Sequence, residues 1–196
     1  MEIKENELLF AKIEENAIIP TKREEDAGYD VYTCETDTIV VKPCSVRMIN
    51  TGLAIACNKA YFPKFFDKGG MGSKGIIVGA GVGDSGYRDK YFVPLNNINE
   101  DKWLIITNQS EKEIKTSTCF DLKENKFIDD IIPDKISVID DRYVNKKNCI
   151  IKYINKAFAQ FVVLPVPALE TKEVTYDKLL QYKSERGLGK LGSSGK

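Results

Sequence analysis

The chain has 196 residues, enough for one domain with a substantial core, and its 29 basic and 29 acidic side chains cancel. Balanced charge gives no argument for a nucleic-acid or membrane surface. Histidine is absent, which removes the commonest general base, the commonest metal ligand and every Ser-His or Cys-His nucleophile. An enzyme made from this sequence takes a carboxylate as its base and meets any metal through oxygen.

Five cysteines (Cys34, Cys44, Cys57, Cys119, Cys149) lack C-x-x-C spacing and read as reduced thiols rather than a disulfide frame or zinc site. The charged start, Met1-Glu2-Ile3-Lys4-Glu5, has no apolar signal core, and no apolar run reaches membrane-span length. The expected compartment is the cytoplasm, or the nucleus, or a host cytoplasm for a viral source.

Residues 8–13 predict a first strand, and Ile18-Ile19-Pro20 is stopped by its proline. A polar loop over 21–25 precedes Ala27-Gly28-Tyr29-Asp30, which passes into a second strand. Short β-prone runs follow at 38–41, 45–50, 53–56 and 61–66, punctuated by Lys42-Pro43 and Thr51-Gly52. Strands this short, broken by Gly and Pro, predict an all-β sandwich or barrel.

Residues 67–75, Asp-Lys-Gly-Gly-Met-Gly-Ser-Lys-Gly, offer amides, two lysines and a hydroxyl. They suit either a phosphate chain or a flexible surface loop, and the spacing is not that of a P-loop. Ile76-Ile77-Val78 then runs into Gly79-Ala80-Gly81-Val82-Gly83-Asp84-Ser85-Gly86-Tyr87-Arg88, and Tyr91-Phe92-Val93 runs out. This is a β-hairpin whose glycine-rich tip either holds a ligand against its amides beside Asp84 or is a plain turn with a solvated carboxylate. Residues 96–148 are less orderly and form a functional insertion or a small subdomain. The aspartate pairs at 129–130 and 140–141 fit a solvated acidic face better than a metal site. Residues 150–154 and 159–166 close the core, with Gln160 polar at the mouth of the last apolar run. After Pro167 a charged tail ends in Arg186-Gly187-Leu188-Gly189-Lys190-Leu191-Gly192-Ser193. It is disordered alone or folds over a phosphate.

Five of these stretches, in this order, resemble the motifs of the trimeric dUTP diphosphatase (dUTPase) family. They are Ala27-Gly28-Tyr29-Asp30, a degenerate second motif at 68–75, a close match at 79–88, Ala159-Gln160, and 186–195. Thr51-Gly52-Leu53 falls correctly between the first two. The resemblance covers the chain apart from the middle insertion.

It implies a jelly-roll-like, distorted β-barrel over 1–170, carrying an insertion at about 96–148, and a tail over 171–196 that closes over a neighbouring site. It implies a homotrimer in which three chains build three sites. The reaction would be Mg²⁺-dependent hydrolysis of dUTP to dUMP and pyrophosphate, with Asp84 activating water for attack on the α-phosphorus. Substrate-binding residues would be Lys68, Gly69, Gly70, Gly81, Val82, Gly83, Tyr87, Gln160, Arg186, Leu191, Gly192 and Ser193. Tyr87 would lie beneath the deoxyribose. Mg²⁺ would ride on phosphate oxygens and water, with Asp30 contacting it through water and no direct protein ligand. Two other readings stay open. One is a nucleotide-binding regulator of weak catalysis that meets a protein partner through the insertion. The other is a dCTP deaminase-like relative, for which the third motif lacks the needed glutamate.

Several positions depart from the family. Gly69 replaces a serine that contacts the bridge to the leaving pyrophosphate, and Lys68 replaces an arginine. Gly83 replaces a bulky aliphatic, Ala157 a basic residue, Lys190 a glycine, and Leu191 a phenylalanine that stacks on uracil. These departures predict a lowered rate rather than a changed fold.

Overall fold

The structure, a computed structural model, describes residues 2–130, 138–139 and 142–188. In chain order the elements are β1 (Leu8–Lys12), β2 (Tyr29–Val31), β3 (Ile39–Val41), β4 (Ser45–Asn50), β5 (Leu53–Cys57) and β6 (Tyr61–Asp67). Next come α1 (Gly69–Gly72), β7 (Ile76–Val78), β8 (Phe92–Asn97), β9 (Trp103–Thr107), α2 (Glu111–Thr116), β10 (Cys119–Asp121) and β11 (Lys126–Ile128). The chain closes with β12 (Val138–Ile139), β13 (Tyr143–Asn145), β14 (Cys149–Tyr153), β15 (Ala159–Pro165) and α3 (Tyr176–Leu180). No described helix is long and apolar enough to cross a membrane.

The expected all-β architecture is present. Four small sheets, β1-β5, β14-β9-β3, β2-β15-β6 and β4-β8-β7, close around one core. Alternation explains the packing. On β15, Ala159 and Phe161 are buried and Gln160 faces outward. Phe161 stacks on Tyr29 at 5.1 Å between ring centroids and meets Phe10 edge-on at 6.2 Å.

Residues 96–107 belong to the barrel, so the inserted segment begins after Thr107, later than the sequence suggested. β8 pairs with β4 and β7, and β9 pairs antiparallel with β3 and parallel with β14. The insertion is a subdomain with its own four-stranded sheet, β11-β10-β13-β12. β9 is buried at all five positions because it is a shared wall. Leu104 and Ile106 enter the barrel core, while Trp103 and Ile105 pack with Ile114, Phe120, Phe127 and Val144 of the insertion.

The chain divides into two compact units, Met1–Val166 and Pro167–Lys196. In the second, the hydroxyl of Thr175 accepts from the Lys178 amide and caps α3.

Candidate active site

Strand register assembles the first half of the site. Gln160 lies opposite Asp30 on one side of β15 and opposite Phe66 on the other, and Ala159 lies opposite Asp67. The first, second and fourth motifs are therefore three adjacent strand ends. Asp30, Lys68, Gln160 and Gly28 line one cleft of about 670 Å³. The Lys68 ammonium pairs with Oδ1 of Asp30. Gln160 donates from Nε2 to the Asp67 carbonyl at 3.1 Å. Gly28 lets the Gln160 side chain lie close, since a Cβ would sit 2.8 Å from Oε1 of Gln160 and displace it.

Residues 69–72, for which the sequence left a phosphate-binding stretch and a flexible surface loop both open, form one helical turn, α1, anchored by the buried Met71. Gly69 and Gly70 are exposed, and a Cβ on either would meet nothing within 4 Å.

Charge in the cleft is balanced, with Glu25, Asp26 and Asp30 beside Lys68. Lys22 and Arg23 also line it, and Arg23 grips Asp26 with two bonds of 2.8 and 2.9 Å. Behind it, burial and then the charges of Lys68 and Lys74 push the Lys152 ammonium below its usual pKa. Sequence reading missed Arg23 and Lys152. Their signals were a basic pair just before the first motif and one lysine inside the apolar run Ile150-Ile151-Lys152-Tyr153.

The second half is the loop between β7 and β8. It is tied to β6 by Phe65 N–H to the Gly81 carbonyl at 2.7 Å and by Gly83 N–H to the Pro63 carbonyl at 2.8 Å. Val82 forms an isolated bridge with Lys64. The glycines here serve packing rather than positive φ, which among described glycines occurs only at Gly52, Gly75 and Gly187. A Cβ on Gly81 would lie 2.4 Å from the Phe65 carbonyl oxygen, and one on Gly83 would lie 2.8 Å from Cε1 of Tyr91. Val82, Asp84 and Tyr87 are exposed beyond these anchors.

One chain does not bring the two halves together: none of residues 79–88 lines the cleft. Arg186 is exposed within the second unit. Leu191, Gly192 and Ser193 lie outside the described residues.

Fold and cleft thus define an all-β protein with a polar, charge-balanced cleft at its strand ends and a carboxylate on a separate loop anchored to β6. The family model for dUTPase matches residues 14–111, half of the chain, ending where the insertion begins. The deoxyuridine 5′-triphosphate nucleotidohydrolase of Variola virus is 31% identical over 104 residues, covering 53% of this chain and 68% of that protein. The corresponding protein of Leptospira interrogans is 28% identical over 102 residues, covering 50% and 70%. The structure of Staphylococcus bacteriophage 80alpha dUTPase with dUpNHpp aligns with a TM-score of 0.68 at 25% identity, over 97% of this chain and 99% of that one. The dUTPase of S. aureus phage phi11, described as having a species-specific insert, aligns with a TM-score of 0.57 at 26% identity, over 86% and 96%. The chain belongs to the dUTPase family.

Proposed function

We propose that this protein hydrolyses dUTP to dUMP and pyrophosphate at sites shared between copies of the chain in a homotrimer. The observation that carries the reading is the division of the site. Asp30, Lys68 and Gln160 gather in one polar cleft, while Asp84 is exposed on a loop bolted to β6 and outside that cleft. A closed ring of heterologous contacts lets each cleft face a neighbour's hairpin. An apolar face suits such contacts. Register puts Val46, Met48 and Phe92 on one side of the β4-β8 pair, and all three are exposed.

In this reading the backbone of Gly81, Val82 and Gly83, apart from the Gly83 N–H and Gly81 carbonyl already bonded to β6, reads the uracil edge, and the Tyr87 ring lies under the deoxyribose and leaves no room for a 2′-hydroxyl. Asp84 holds a water and takes its proton as the water oxygen bonds to the α-phosphorus. The bond from the α-phosphorus to the bridging oxygen breaks, and pyrophosphate leaves with the electron pair. Lys68, amides of Gly69 and Gly70, Gln160 and Arg186 stabilise that charge, with Leu191, Gly192 and Ser193 covering the nucleotide.

Bound Mg²⁺ would supply charge neutralisation on the triphosphate oxygens. The donor set fits that role. The Asp30 carboxylate, one oxygen on Lys68 and about a third exposed, suits a contact through water.

The test is pyrophosphate release from dUTP and each of the four standard deoxynucleoside triphosphates, with and without Mg²⁺. Release from dUTP alone is expected, and Asp84→Asn should abolish it while the oligomer persists. Release from several nucleotides, or unaltered release by the variant, overturns the reading. A second reading, a nucleotide-sensing regulator that offers its insertion to a protein partner, is favoured by that insertion's separate core. Measurable dUTP affinity with turnover no faster than Asp84→Asn would select it.

A further inference from the structure

Tyr91 is held from behind and holds what lies in front. Its N–H donates to the Leu53 carbonyl at 2.9 Å. Its carbonyl accepts from the Thr51 N–H at 3.2 Å and from the Thr51 hydroxyl at 2.7 Å. Thr51 is itself buried. The Tyr91 ring is 7% exposed and packs on Phe65 at 5.3 Å. This backbone has no freedom to drift.

The other end of the side chain reaches the catalytic loop at three places. The phenol donates to the Asp84 carbonyl at 3.1 Å. The same carbonyl accepts from the Tyr87 amide at 3.1 Å, closing the turn that separates the carboxylate from the sugar platform. The Tyr91 ring meets the Tyr87 ring edge-on, 5.1 Å away and inclined by 75°. Finally, Tyr91 fills the volume beside Gly83. A Cβ there would lie 2.8 Å from Cε1 and 3.1 Å from Oη of Tyr91, and 2.9 Å from Pro63.

We propose that Tyr91 is a positioning residue for the reaction. Its hydroxyl fixes the Asp84 backbone and its ring fixes Gly83 and Tyr87, so the carboxylate and the sugar platform are presented in one orientation. Gly83 and Tyr91 are then a matched pair, a large side chain on the strand taking the space of one on the loop. The hydroxyl is committed to this bond. Burial first, then the neighbouring Cys57 and Asp84, push its pKa up to about 12, so it remains a donor at any working pH. The inference deepens the proposed function and rests on it for the word reaction.

Tyr91→Phe keeps the ring and every backbone bond and removes only the hydroxyl. Two readouts keep the inference separate from the proposed activity. Amide hydrogen exchange of the 84–90 segment, Tyr87 above all, should accelerate about tenfold, the equivalent of one lost hydrogen bond, with β6 and β8 unchanged. This arm needs no turnover, so it decides the inference even if dUTP is not hydrolysed. In the turnover arm, kcat should fall about tenfold with KM within about twofold, the split expected when reacting groups lose alignment. Unchanged exchange in Tyr91→Phe, or kcat within twofold of the parent, would overturn the proposal.

Discussion

Gly69 departs from the family pattern, and we propose that the missing hydroxyl lowers the rate. This glycine opens α1, and the space its Cβ would occupy is empty to 4 Å. A serine therefore fits without moving any neighbour. By family resemblance that serine donates to the oxygen bridging to the leaving pyrophosphate. One donor aimed at developing charge is worth about 3 kcal/mol, on the order of 10²-fold in rate. Gly69→Ser is expected to raise kcat for pyrophosphate release by some tens-fold, with little effect on the thermal midpoint. An unchanged kcat would mean that another group, such as Ser73 at the end of α1, already supplies the donor. Candidate residues of this kind can be picked from type and local order. Asp84 and Gln160 stood out as polar groups beside glycines or an apolar run, and Asp30 through the first motif. Tyr91 was not legible, because its contacts with Asp84 and Gly83 exist only once the loop between β7 and β8 has closed.

The barrel strands were readable from apolar runs bounded by Gly and Pro, and the insertion was not. Its strands are two or three residues long, too short for a period of two to register. One signal was present and overlooked. Ser110 and Glu113 form a reciprocal capping box that starts α2. The unbroken apolar run of β9 was also informative, since it marks a strand covered on both faces.

A buried aspartate organises the rest of this subdomain. Asp121 Oδ1 accepts from the amides of Lys123 and Glu124 at 2.9 and 3.1 Å, shaping the turn from β10 to β11. Oδ2 accepts from Arg142 at 2.8 Å, and the Asp121 side chain is 1% exposed. The Arg142 guanidinium, followed by the turn amides, holds this carboxyl below the usual carboxylate range against the opposing effect of burial. A depressed folded pKa gives stability that is complete above the unfolded value, about 3.9, and is lost as pH falls through the folded one. Asp121→Asn keeps an oxygen for the turn but loses the charge. It should cost about 1.5–3 kcal/mol at pH 7, the range for hydrogen bonds to charged groups. Urea titrations of parent and variant should converge as the pH drops below 4. A gap that stays constant from pH 7 to pH 2 would mean the pair contributes geometry alone.

At the scale of the whole molecule the decisive feature is what a single chain leaves apart. The cleft gathers Asp30, Lys68 and Gln160 because β2, β15 and β6 are neighbours in one sheet. Asp84 is anchored over Pro63 and Phe65, farther back along β6, and its loop contributes nothing to the cleft lining. Sequence order could supply the motifs but not this separation, which comes from where each strand end falls around the barrel. If a working site takes its cleft from one copy and its carboxylate from another, two inactive variants must complement each other. Lys68→Met disables the cleft and leaves the hairpin sound, whereas Asp84→Asn does the reverse. Co-expressed in equal amounts and mixed at random in a closed ring, they give a sound cleft and a sound hairpin at about one site in four. Pyrophosphate release should therefore return to about a quarter of the parent rate in the mixed oligomer, while each variant alone stays inactive. Complementation fails altogether if each chain uses its own Asp84, so a mixed oligomer with no activity would exclude the shared site and leave catalysis to be sought within a single chain.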